Sequence, residues 1–172
     1  TIGLGTKIPF GSSSNTDRGI LLPADMQPGT GAWDGIAWFY ASQGFLPTMP
    51  LTVYVVGSGR RTGTNERYGS GRGGYSFGNE GLFSLGGGYR TDGIMDYSLT
   101  LRARLAGADR FDNAVVPNTG GLWLTAIPGL NFKIFDQTVL RGTFQFPIYR
   151  RLTGVQLTTS FVASAAVLYT FN

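Results

Sequence analysis

The feature that most restricts this chain is a period of two. In DYSLTLRARLAG, Tyr97, Leu99, Leu101, Ala103 and Leu105 fall on one side of an extended backbone and Ser98, Thr100, Arg102 and Arg104 on the other. TVLRGTFQFPI sets Leu140, Gly142, Phe144 and Phe146 against Arg141, Thr143 and Gln145. GLWLTAIPGLNFKIF sets Leu122, Leu124, Ala126, Leu130, Phe132 and Ile134 against Thr125, Asn131 and Lys133. TIGLGTKIPF alternates Ile2, Leu4, Ile8 and Phe10 with Gly3, Gly5 and Lys7. The closing run puts Phe161, Ala163, Ala165, Val167, Tyr169 and Phe171 on one face and Val162, Ser164, Ala166, Leu168 and Thr170 on the other.

Such a chain is all-β. Glycine, at 27 of 172 residues, recurs too often for stable helices. No apolar stretch approaches the roughly 20 residues that a membrane helix needs. Yet only 14% of residues are charged, against roughly 25% in ordinary soluble domains. One face of every strand is apolar, while the other carries mostly Gly, Ser, Thr and a few arginines. A soluble lipocalin-like barrel or β-sandwich also alternates, but its exposed face is rich in Lys and Glu. The sparse polar face here favours strands with lipid on one side and a polar lumen on the other.

The pattern predicts strands at residues 1–11, 32–45, 51–60, 77–90, 95–107, 121–135, 138–148 and 155–171. FLPTMP, RTDGIMD and DQT make short turns, and they alternate with long polar connections: SSSNTDRGILLPADMQPGTG, RRTGTNERYGSGRGGY and ADRFDNAVVPNTGG. RRLTG is a shorter member of the second set. Transmembrane barrels have this asymmetry, with short periplasmic turns and long outer loops. The expectation is a single antiparallel transmembrane β-barrel domain over residues 1–172, in a bacterial outer membrane, with both termini periplasmic. The chain starts at Thr1 with neither Met nor a signal peptide, so an export signal would already have been removed.

Without Cys or His there is no disulfide framework, no thiolate site and no Ser-His-Asp chemistry. We therefore expect no enzyme activity, cofactor or metal. The polar face is predicted to carry Lys7, Arg60, Arg90, Arg102, Arg104, Lys133 and Arg141, with Asp34 and Glu80 as its acids. A lumen with that imbalance attracts anions. In a narrow barrel the same groups pair and simply fill the interior.

Phe10, Tyr40, Tyr97, Phe144, Phe146, Tyr169 and Phe171 are expected on the outer face as girdles at the membrane interfaces. Arg60, Arg61, Arg67 and Arg72 make one outer loop basic, which suits lipopolysaccharide phosphates better than nucleic acid. GSGRGG neither follows a strand nor opens a helix, so it reads as a flexible loop and not a phosphate cradle. The segment Gln27, Pro28, Gly29, Thr30 and Gly31 reads as a tight turn that lets backbones approach closely, packed at the barrel mouth.

GTKIPFG, LLPADMQPGTGAWDG and FQFPIYRRLTGVQLTTSFVASAAVLYTF together resemble the outer-membrane transporter family named for the meta-pathway of phenol degradation. The resemblance spans essentially the whole chain in order. It implies a Gram-negative β-barrel that passively takes up small, aromatic or hydrophobic molecules. It also implies that this chain is the C-terminal portion of a barrel of about twelve strands. A competing class is a structural barrel that sheathes or anchors partner proteins, such as an electron-conduit casing or a surface-assembly subunit.

Overall fold

A computed structural model describes residues 1–45, 49–69 and 73–171. Eight long strands form one sheet: β1 (Ile2–Lys7), β2 (Asp34–Gly44), β3 (Leu51–Arg61), β4 (Glu80–Tyr89), β5 (Met95–Ala106), β6 (Gly121–Phe135), β7 (Thr138–Leu152) and β8 (Val162–Tyr169). Each pairs antiparallel with its neighbours in chain order. Among the described residues no ladder joins β1 to β8, so closure into a barrel is not seen. Among the described residues the one helical element is a 3-10 turn at Ala24–Met26.

Register converts alternation into two faces. Leu85 pairs with Leu101 and Leu101 with Ala126, whereas Ser84 pairs with Arg102 and Arg102 with Thr125. Among the described residues no second layer covers the apolar face: Leu101 is 46% and Leu105 60% exposed. The polar face is the better covered, with Asp34, Ser84 and Thr100 all buried. A soluble β-sandwich has the reverse arrangement, with its apolar side chains inside.

Aromatic rings lie over glycines across strands and fix local register. Tyr54 of β3 lies over Gly86 of β4, and a Cβ at Gly86 would overlap the ring. The same tyrosine hydroxyl hydrogen-bonds Thr100 of β5 and its ring stacks on Tyr40 at 6.5 Å. Pro128 stands inside β6, where a missing N–H weakens a ladder. Pairing of β6 with β7 passes from Ala126↔Phe146 to Gly129↔Thr143, leaving Ile127 and Pro128 without rungs on that side.

The predicted strands match in number and order, but several ends move. The first stops at Lys7, before Ile8-Pro9, because proline cannot continue the ladder. The fourth starts at Glu80, since 77–79 serve the loop. The seventh runs on to Leu152, paired with β6, and the eighth begins only at Val162. The short turns, the start of β1 and the end of β8 lie on one side of the sheet, and the long connections on the other. Leu46–Thr48 of FLPTMP and Ser70–Arg72 of GSGRGG lie outside the described residues, as does Asn172.

Candidate functional site

The polar face gathers the predicted basic residues into two groups. Toward the long loops, one row runs Tyr40, Val56, Ser84, Arg102, Thr125 and Pro147 across β2 to β7. The next row toward the loops contains Leu82, Arg104 and Trp123, and beyond it stand Arg60 and Glu80. Arg104 Nε donates to Glu80 Oε1 at 2.7 Å and Arg60 Nη2 to Oε2 at 3.1 Å, so one carboxylate serves two guanidiniums. Arg104 also lies over the Trp123 ring, 4.8 Å from its centre, a cation–π contact.

At the sheet's edge Lys7 Nζ lies 3.3 Å from Asp34 Oδ2 and also bonds the Thr30 hydroxyl. Asp34 Oδ1 accepts from the Gly63 N–H at 3.2 Å. At the short-turn end Lys133 pairs with Asp96 at 3.1 Å and donates to the Thr91 and Gly93 carbonyls. There too Arg141 Nε donates to Asn131 Oδ1 at 2.8 Å. Lys7, Arg60, Arg102, Arg104, Lys133, Arg141, Asp34 and Glu80 all share this face, as the alternation predicts. Arg90 lies one residue past the end of β4, where its N–H donates to the Pro50 carbonyl and continues the pairing with β3.

Arg102 differs from the rest. Among the described residues it has no hydrogen-bond or ion-pair partner, and its Nε is buried without an acceptor. Arg60 Nε is likewise orphaned, although its other nitrogen reaches Glu80.

The long connections fold over the loop end. Gln27 bridges the Asn15 N–H and carbonyl and the Leu22 carbonyl, and Gly29 N–H bonds the Ser12 carbonyl. Gly29 packs directly on Gly11, so close that a Cβ on either would overlap the other backbone. Gly31 has φ +67° and abuts Asn65, whose amide reaches Ser13. The Gln27–Gly31 segment therefore ties the first long connection together and packs it against Ser12, Ser13 and Asn65.

A small sheet of Ala114–Val115, Arg110–Phe111, Tyr75–Ser76 and Thr64–Asn65 joins two long loops. Tyr75 donates to Asp109 Oδ2 at 2.7 Å and stacks on Tyr68 at 4.7 Å. Burial first, then the hydrogen bond and charge of Asp109, push the Tyr75 phenol far above its usual range. Burial, and next the charge of Asp25, raise Tyr68 as well.

Three expectations about the aromatics need correction. Tyr40 faces the polar side, paired with Val56 and stacked on Tyr54, because AWFYAS carries rings on both faces and its parity is ambiguous. Phe144 and Phe146 are on the apolar face but in mid-strand, since β7 continues to Leu152. Phe10 is exposed but lies past the end of β1, in the loop. Tyr97, Tyr169 and Phe171 are exposed at the short-turn end, with Tyr169 and Phe171 edge to face at 4.8 Å.

Sequence reasoning missed Asp96, although its parity with Ser98 and Thr100 places it on the polar face. It also missed the Tyr75–Asp109 bond, which joins loops with no periodic signal. Arg61 and Arg67 are exposed in or beside the basic loop, and Arg72 lies outside the described residues. No family model, curated protein or solved structure matches this chain.

Proposed function

We propose that this chain is the wall of an outer-membrane β-barrel acting as a passive channel or transporter for small solutes. What carries the reading is the segregation of the two faces, clearest from β4 through β6. Apolar side chains such as Leu85, Leu99, Leu101 and Leu130 stand exposed side by side on adjoining strands, a contiguous apolar face and not the scattered single residues of a soluble surface. The opposite face carries the hydroxyls and paired charges, interspersed with apolar groups such as Val56 and Leu82.

In lipid, every backbone group of an edge strand requires a partner. The reading therefore needs β1 to meet β8, or further strands to complete the ring. Side chains fill an eight-stranded ring, whereas a wider one leaves a passage. The polar face carries more cations than acids, which favours anions. With the long loops outward, the termini are periplasmic and Arg61 and Arg67 are near the phosphates of lipopolysaccharide. Uptake of aromatic or hydrophobic solutes rests on the family resemblance alone.

A second reading, a casing or anchor for envelope proteins, draws on the open edges and the loop cover. Single-channel recording of purified protein in a planar bilayer under a salt gradient separates the two. Discrete steps with an anion-leaning reversal potential support the channel, and charge reversal at Arg102 and Arg104 then reduces that selectivity. A folded protein that never conducts refutes the channel and favours the casing.

A further inference from the structure

Glu80 pairs with both Arg60 and Arg104, Asp34 with Lys7, Asp96 with Lys133, and Asn131 accepts from Arg141. Arg102 alone among these polar-face cations has no such partner among the described residues. A guanidinium has five donors, and a buried donor without an acceptor is costly. Arg102 Nε is in that position. Directly opposite Arg102 on the two adjoining strands stand Ser84 and Thr125, on the same face. Side chains so paired lie about 4.5–5.5 Å apart at Cβ. Neither hydroxyl has a hydrogen-bond partner among the described residues, although Ser84 is only 5% exposed.

One unpaired guanidinium flanked by two free hydroxyls is a set of donors lacking an acceptor. We propose that Arg102, Ser84 and Thr125 bind the carboxylate of a small organic solute, a deepening that rests on reading this face as the solute-facing one. The planar fork matches a carboxylate in two-point fashion, and the hydroxyls supply donors from either side. One guanidinium whose donors lack an acceptor suits a single carboxylate. Around the site the same face carries Val56, Leu82, Ile127 and Pro147, apolar groups that suit a short hydrocarbon body.

The probe is sodium butyrate, titrated by calorimetry into the folded protein in micelles, with inorganic phosphate as the comparison anion. The site predicts saturable one-to-one binding of butyrate, weakened at least tenfold by Arg102→Gln and several-fold by Ser84→Ala or Thr125→Val. Arg110→Gln, in an exposed loop, leaves it unchanged. Should Arg102→Gln lose the β-strand circular dichroism signal, the Ser84→Ala, Thr125→Val double variant decides, with a tenfold loss expected. No saturable binding, binding indifferent to these variants, or phosphate bound as tightly as butyrate overturns the proposal. Binding without conductance would keep this site and remove the channel, and conductance without binding would do the opposite.

Discussion

Lys7 and Asp34 face each other across the first ladder, ammonium and carboxylate 3.3 Å apart, with the carboxylate 1% exposed. Through Gly63 N–H and Thr30 the same pair ties the loop cover to the sheet. Removing one partner of a buried pair leaves the other uncompensated. Lys7 is partly solvated, which moderates the cost. Asp34→Asn should destabilise the folded protein by about 1–3 kcal/mol, seen as a lower urea midpoint in micelles with unchanged slope. An unaltered midpoint would mean that the pair is idle.

Glu80→Gln tests how one carboxylate controls the polar face. Both arginines that it holds are partly exposed, so each pair is worth only about 0–1 kcal/mol. The stability change should therefore be small, while the reversal potential under a salt gradient shifts further toward anions. A shift toward cations would show that Arg60 and Arg104 do not face the conducting path.

Tyr75 gives a pH signature. Its phenol is raised by burial and by donating to Asp109, so the fold favours the neutral form. The stability that this contributes is complete below the ordinary phenol value of about 10 and is lost as pH rises through the elevated one. Phenolate absorbance should contain a late component above about pH 10 that Tyr75→Phe removes. Titration of Tyr75 together with the exposed tyrosines would contradict the buried bond.

Gly86 underlies the Tyr54 ring. Gly86→Val should cost about 1–3 kcal/mol by displacing that ring and its bond to Thr100. Tyr54→Ala in the Gly86→Val background should recover part of the loss, because the clash is then gone. Additive losses would place the strain elsewhere.

Much of this was legible in the sequence wherever alternation was clean. DYSLTLRARLAG specified β5 and the side of Arg102 and Arg104, because a one-residue slip would move every leucine to the polar face. AWFYAS gave no such constraint, and Tyr40 was placed on the wrong face. Strand ends failed where residues serve the loops: Ile8-Pro9 after β1, 77–79 before β4 and 155–161 before β8. The orphaned Nε of Arg102 was not legible. Parity sets the face of a side chain, but partnership depends on which acids reach it from other strands.

The central claim is that the odd-numbered residues of β5 meet lipid. The chain has no native cysteine, so single substitutions Ser98→Cys, Leu99→Cys, Thr100→Cys and Leu101→Cys can each carry one environment-sensitive dye in vesicles containing brominated acyl chains. The account predicts strong quenching at 99 and 101 and little at 98 and 100. Equal quenching at all four positions, or stronger quenching at 98 and 100, would contradict it.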